Sequence, residues 1–78
     1  MITLRLFASA RQAAGTGRDA FAGGTVDEVL RAAVDRYGDG FGEVLGTCRV
    51  WLNGEEADPG ALVGSGDEIA VLPPVSGG

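Results

Sequence analysis

Histidine and lysine are absent from the 78-residue sequence, and cysteine occurs only once. A single cysteine cannot form an internal disulfide, which excludes the disulfide-stapled mini-proteins. Without histidine, the common His/Cys metal sites and the Ser-His or Cys-His nucleophile pairs cannot be built. These absences argue against an autonomous enzyme.

Basic residues are also few, since six arginines stand against eleven acids and the net charge is -5. A nucleic-acid-binding protein would carry a basic stripe, which this sequence lacks. No apolar run approaches the ~18 residues that span a bilayer, and the N-terminus lacks the layout of a signal peptide. We therefore expect a cytoplasmic protein that binds neither nucleic acid nor membrane. Its acidity favours a protein partner with a basic surface.

Local patterns predict two strands and a short helical turn in the first part of the chain. Residues 2–8 alternate apolar and polar side chains, as in a strand with one buried face. The segment from Ser9 to Gln12 has the spacing of a capping box, and Gly15 would end the turn that follows. Residues 18–22 form a weaker second strand.

The clearest predicted element is a helix over about residues 26–37. It begins with a capping box, Thr25 to Glu28, and Gly38 suits its end. The glycine-rich residues 38–42 are expected to form a loop. Three apolar residues in and after that loop would cover one end of the core: Phe41, Val44 and Leu45.

Three further strands are predicted after the helix. Residues 47–52 predict a strand, Asn53-Gly54 a tight hairpin turn, residues 55–57 a returning edge strand, and residues 68–72 the last strand. A helix crossing a mixed sheet in which the two terminal strands are adjacent is an α+β, ubiquitin-like β-grasp.

The C-terminal segment fits no packed element, so we expect a domain of residues 1–72 and a flexible, extended tail of residues 73–78. Two prolines favour an extended chain, and six residues reach about 20 Å. Gly77-Gly78 has no side chains and could enter a narrow channel. The terminal carboxylate is ionised at neutral pH. Activation by ATP would convert it into an acyl adenylate that sulfur or an amine can attack.

Four segments carry a family resemblance along the whole chain: 4–8, Arg11 with 13–15, 50–54 and 66–78. They resemble the small subunit of molybdopterin synthase, and the closing Leu-Pro-Pro-Val-Ser-Gly-Gly is the most specific part. The resemblance implies that a ubiquitin-activating-type adenylyltransferase uses ATP to adenylate Gly78, and that a sulfur donor then supplies a thiocarboxylate. The large subunit would use that sulfur to build the dithiolene of molybdopterin. This chain would bind no cofactor and catalyse nothing by itself.

The resemblance also implies where the chain is used. Gly78 would carry the sulfur, and the rest of the tail would occupy a channel: Gly77, Ser76, Val75, Pro74 and Pro73. Partner contacts in this family lie partly on the sheet face opposite the helix, where strand parity places Phe7, Trp51 and Leu72. Arg11 is a candidate polar contact, and Cys48 is expected to be a buried structural thiol.

Other functions remain open at this point. Related sulfur carriers serve thiamine synthesis, cysteine synthesis and tRNA thiolation. The thiamine carrier usually lacks paired prolines, so Pro73-Pro74 favours the molybdopterin branch, whereas the cysteine type is harder to exclude. A second class is a protein modifier joined to lysines through Gly78. A third is an interaction module whose tail is inert.

Overall fold

A five-stranded sheet and three helices form the part of the protein that the computed structural model describes, residues 1–74. Val75, Ser76, Gly77 and Gly78 lie outside the described residues. The strands are β1 (Ile2–Leu6), β2 (Arg18–Phe21), β3 (Arg49–Leu52), β4 (Glu55–Glu56) and β5 (Glu68–Leu72). The helices are α1 (Ala8–Ala14), α2 (Val26–Tyr37) and α3 (Asp39–Leu45).

The sheet is mixed, with strand order β2-β1-β5-β3-β4. The first and last strands, β1 and β5, pair in parallel, and the other neighbouring strands pair antiparallel. A parallel pair needs a long crossover connection, and the helices lie within it. The predicted α+β β-grasp fold is confirmed.

The core lies between one face of this sheet and the helices. Strand parity predicted the inward side chains of β1 and β5, and all of them are at most 3% exposed: Ile2, Leu4, Leu6, Ile69 and Val71. From the other side come buried residues of α2, namely Val26, Val29 and Ala33. Val50 and Leu52 of β3 are half-buried and pack against this cluster. The opposite face of the sheet is therefore left without a covering layer in residues 1–74.

Helix α2 begins and ends where the sequence predicts. The Thr25 hydroxyl accepts a hydrogen bond of 3.2 Å from the Glu28 N–H and lies 3.4 Å from the Glu28 carboxylate. Such a cap stabilises a helix by about 1 kcal/mol. Gly38 ends the helix in a conformation with φ of 100°, which favours glycine. In residues 1–74, no helix combines the length and hydrophobicity of a membrane span.

The first strand and the turn after it differ from the sequence prediction. β1 ends at Leu6, and the N–H of Phe7 still donates to the Val71 carbonyl at 3.1 Å. Ala8 then turns the chain with φ of 49° and begins α1, so the predicted strand to residue 8 is wrong. The capping box at Ser9 is wrong for the same reason, because the turn at Ala8 sets the helix start before Ser9. Gly15 ends α1 as predicted, with φ of 79°.

The predicted loop over residues 38–42 is also wrong, because residues 39–45 form α3. Glycine lowers helix propensity, but burial of one aromatic ring overrides it. Phe41 is 1% exposed, and its ring packs edge-on against Tyr37 at 5.1 Å. Val44 and Leu45 pack against the same core, as predicted.

The Asn53-Gly54 hairpin is confirmed, and the Asn53 side chain has a second role that its turn motif does not predict. Both residues have positive φ, 50° and 87°, as a tight hairpin requires. The Asn53 amide donates to the Asp67 carboxylate at 3.1 Å and accepts from the Glu68 N–H at 2.9 Å. The Gly64 N–H and this amide lower the pKa of Asp67. The network joins two turns that are distant in sequence.

A polar cluster joins β2 to the end of α2. The Tyr37 hydroxyl donates to the Asp19 carboxylate at 2.6 Å, and the Arg36 guanidinium lies 3.0 Å from the same carboxylate. The Arg36 guanidinium also lies 4.1 Å from the centre of the Phe21 ring. The hydrogen bond from Tyr37, followed by those from the Ala20 N–H and Arg36, lowers the pKa of Asp19 below its ordinary value of 3.8.

Replacing Asp19 with asparagine is expected to remove a pH-dependent part of the stability. The folded state lowers the pKa of Asp19, so its contribution is complete above the unfolded pKa and is lost as the pH falls through the folded pKa. Urea unfolding should show D19N less stable than the natural chain by about 1–2 kcal/mol at neutral pH, with the difference shrinking below about pH 4. D35N, on an exposed part of α2, is the control. A difference that is constant across this range would contradict the prediction.

Candidate functional site

The uncovered face of the sheet brings together three of the contact residues that the sequence predicts. Leu72 and Trp51 lie on β5 and β3, where Leu72 is opposite Arg49 and Trp51 is opposite Ala70. Phe7 directly follows β1, next to β5. Phe7, Trp51 and Leu72 line one open depression of about 330 Å³.

Two further residues complete this surface. Ala70 lies on the central strand between β1 and β3, opposite Trp51, and lines the same depression. Pro73 follows β5 and lines the same depression. We call these five residues the outer patch: Phe7, Trp51, Ala70, Leu72 and Pro73. An exposed apolar surface that contains two aromatic rings is typical of a protein-binding site.

The start of the tail adjoins the outer patch. Pro73 lines the depression, whereas the next residue, Pro74, lines a separate cavity of about 430 Å³ between α2 and β3. Because proline has no backbone N–H, neither residue can donate a hydrogen bond to the sheet. The last two described residues therefore border both the outer patch and the cavity between α2 and β3. The other predicted tail residues, Val75, Ser76, Gly77 and Gly78, lie outside the described residues.

Arg11 and Cys48 lie outside the outer patch. Arg11 is exposed on α1, and its side chain covers Gly17, where an added Cβ would lie 3.3 Å from the Arg11 Nε. Cys48 is half-buried, packs against the core and lines the cavity between α2 and β3. Neither side chain touches the depression in which the aromatic residues meet.

Sequence reasoning assigned no role to the charged residues of this face. Three of the six arginines in the chain lie on it: Arg5, Arg18 and Arg49. The Arg5 guanidinium lies 5.3 Å from the centre of the Phe7 ring. Arg49 is 3.3 Å from the Glu56 carboxylate. Alternation along residues 2–8 places Arg5 on this face, but the pairing of Arg18 with it depends on strand register.

Comparison with known protein families identifies the family of this chain. A model of the ThiS family matches residues 4–78, which is nearly the whole chain. The chain belongs to the ThiS family. This family comprises sulfur carriers that are not catalytic themselves, so the chain is a sulfur carrier and not an enzyme. A search of the curated proteins found no match.

Solved structures resemble this ThiS-family chain over almost its full length. SAMP1 from Haloferax volcanii is 34% identical, with a TM-score of 0.80 over 99% of this chain and 98% of that one. The small archaeal modifier protein 1 from Methanosarcina acetivorans is 30% identical, with a TM-score of 0.88 and coverage of 99% and 95%. A chain in the complex of subunits 1 and 2 of molybdopterin-converting factor from Helicobacter pylori is 29% identical, with a TM-score of 0.73 and coverage of 99% and 97%.

The similar structures thus include proteins named as modifiers and a subunit of a converting factor. The last of them was solved in a protein–protein complex, so carriers of this type bind partner proteins. An uncovered apolar sheet face next to the tail is consistent with such binding.

Proposed function

We propose that this chain is the sulfur-carrier subunit of molybdopterin synthase. In this role, residues 1–72 form the domain that docks on a partner, and residues 73–78 form the arm that reaches into the partner's active site. Gly78 carries the sulfur as a thiocarboxylate. The large subunit uses that sulfur to form the dithiolene of molybdopterin.

The proposal rests on the position of Pro73, the first residue of the tail. Pro73 lines the same depression as Phe7, Trp51 and Leu72, so a partner that covers the outer patch also meets the beginning of the tail. Docking of the domain on the partner would therefore also bring the C-terminus to the partner. The 29% identity with the converting-factor subunit supports this pathway, as do the paired prolines before Val-Ser-Gly-Gly.

Sulfur loading on Gly78 proceeds in two balanced steps. The carboxylate oxygen attacks the α-phosphorus of ATP, and pyrophosphate leaves. Hydrosulfide from the sulfur donor then attacks the carbonyl carbon and displaces AMP, and loss of the sulfur-bound proton leaves a C-terminal thiocarboxylate. The activating enzyme holds the ATP, and this chain supplies the carboxylate.

The intact mass of the protein tests this loading. After incubation with the activating enzyme of the same organism, ATP and a sulfur donor, the mass should rise by the difference between one sulfur and one oxygen atom. A variant that lacks only Gly78 keeps the domain and should show no gain. The loaded protein should then form molybdopterin when mixed with the large subunit and its pterin substrate. An unchanged mass in the presence of an active activating enzyme would exclude the sulfur-carrier mechanism.

A second candidate function is protein modification, which the 34% identity with SAMP1 favours. In that case, a lysine amine on a target protein attacks the activated carbonyl carbon of Gly78 and displaces AMP. Both functions require activation of Gly78, and they differ in the nucleophile that follows. Target peptides that carry residues 50–78 on a lysine after trypsin digestion, since Arg49 is the last tryptic site of this chain, would identify the modifier. They should be lost when Gly78 is deleted.

A further inference from the structure

Two arginines lie directly opposite each other at one end of the uncovered sheet face. In the antiparallel pair of β1 and β2, Arg5 is the register partner of Arg18. Both side chains are exposed. They point away from the core, because their neighbours Leu6 and Asp19 face the helices, where Asp19 receives the hydrogen bond from Tyr37.

Within residues 1–74, no ion pair offsets the repulsion between these two arginines. Like charges placed directly opposite each other destabilise a sheet. The ion pairs within residues 1–74 use Arg31, Arg36 and Arg49, and none of them involves either of the two opposed arginines. A pair of like charges that lowers stability and forms no ion pair within the described residues is available to bind an acidic group from outside the chain.

The arginine pair is continuous with the outer patch. The Arg5 guanidinium lies 5.3 Å from the centre of the Phe7 ring, so the positive charge begins where the apolar surface ends. Two acids of this face lie on other strands: Glu56 on β4 is paired with Arg49, and Glu68 on β5 is opposite Thr3. The two arginines without an ion pair therefore lie together on β2 and β1, away from the Arg49–Glu56 pair on β3 and β4.

We propose that Arg5 and Arg18 form a cationic docking site that recognises acidic side chains on the partner protein covering the outer patch. The proposal rests on the proposed role of that patch in partner binding. It also specifies the partner: acids must border its apolar contact surface on the side that meets β2. This local requirement is opposite in sign to what the net charge of -5 alone suggests.

A protein fits this surface better than a nucleic acid does. The arginine pair adjoins an apolar patch, whereas nucleic-acid sites extend basic residues along a phosphate backbone. The chain offers six basic residues against eleven acids. A guanidinium group can bind a carboxylate through two parallel hydrogen bonds, so two neighbouring arginines can bind two carboxylates in this way.

Replacing Arg18 with glutamate separates binding from folding. It converts the like-charge pair into an opposite-charge pair with Arg5, so the thermal midpoint of the isolated protein should rise. The same change places a negative charge against the partner's acids, so affinity should fall about tenfold, with slower association. A purely structural role for Arg18 would not produce these opposite effects.

The matched control is R31E on α2, on the other side of the molecule. Each variant changes the net charge from -5 to -7, since one positive charge becomes one negative charge. The Arg31 side chain is 79% exposed, and its ion pair with Asp27 lies on the helix surface. The natural chain and both variants are titrated into the large subunit of the same organism by calorimetry, at low and at high salt.

We expect R18E, but not R31E, to bind the large subunit more weakly than the natural chain does. The difference in affinity between R18E and the natural chain should be smaller at high salt, because the ions screen the charges. If R18E and R31E bind alike while the natural chain binds tightly, the cationic docking site is wrong and the proposed function stands. If the natural chain does not bind the large subunit, the proposed pathway is wrong. The same three proteins are then titrated into the activating enzyme, where weaker binding of R18E than of R31E supports the cationic docking site and equal binding overturns it. Binding of RNA by the natural chain that R18E abolishes would also overturn it.

Discussion

Replacing Leu72 with glutamate is expected to weaken binding of the partner protein at least about 100-fold. Leu72 lies in the outer patch beside Phe7 and Trp51. In the proposed complex, the new carboxylate would be buried against an apolar surface without a counter-ion from the partner. Leaving a charge unpaired in a buried position costs about 3–5 kcal/mol, and about 1.4 kcal/mol corresponds to a tenfold change in affinity.

The same variant should keep its fold. Position 72 is on the uncovered face of the sheet and is opposite Arg49. In the isolated protein a glutamate there keeps contact with water, and Arg49 is already paired with Glu56. Loss of binding can therefore be assigned to the surface, provided that thermal unfolding of L72E is measured beside it.

Leu62 offers the matched control for this experiment. It is 82% exposed and lies outside the outer patch. L62E makes the same chemical change and gives the same net charge, so it should bind like the natural chain in the titration. Equal weakening by both variants would indicate a general effect of charge, and unchanged binding by L72E would show that partners do not cover the outer patch.

Replacing Phe41 with alanine is expected to lower the free energy of unfolding by about 3–5 kcal/mol. Phe41 is 1% exposed, contacts the Tyr37 ring and anchors α3, whose glycines give the helix little stability of its own. For a domain of this length, the total free energy of unfolding is about 4–12 kcal/mol. Urea unfolding should therefore show a large decrease in the midpoint.

The control for Phe41 is another phenylalanine. Phe7 is 36% exposed, so F7A makes the same substitution where much of the ring already contacts water and should cost much less. Phe41→Leu retains most of the apolar volume and should fall between the two, which gives a measurable value even if F41A does not fold. Equal losses for F41A and F7A would show that α3 does not close the core.

Much of the fold follows from signals that are local in sequence. Helix α2 has its own cap at Thr25, an apolar stripe and a terminal glycine, so neighbouring residues suffice to predict it. Alternation predicted the buried faces of β1 and β5, and Asn53-Gly54 predicted the hairpin. The order of these elements was enough for the β-grasp fold, because few compact arrangements accommodate it.

The errors arose where distant contacts override local preference. Helix α3 forms despite its glycines because Phe41 is buried against Tyr37. The start of α1 depends on the last hydrogen bond that the Phe7 N–H makes to β5, which no property of Ser9 reveals. Likewise, the Asn53 side chain binds Asp67 because the fold brings two turns together.

By itself, the sequence determined the class of protein: a small acidic β-grasp domain with Pro-Pro-Val-Ser-Gly-Gly at its end, typical of a sulfur carrier. It also determined the face on which Phe7, Trp51 and Leu72 lie, since side chains alternate along a strand. Only the tertiary structure decided that these residues meet beside Pro73 and that Arg5 is opposite Arg18. Those neighbours belong to different strands, and their distance depends on strand order and register, which local sequence patterns do not encode.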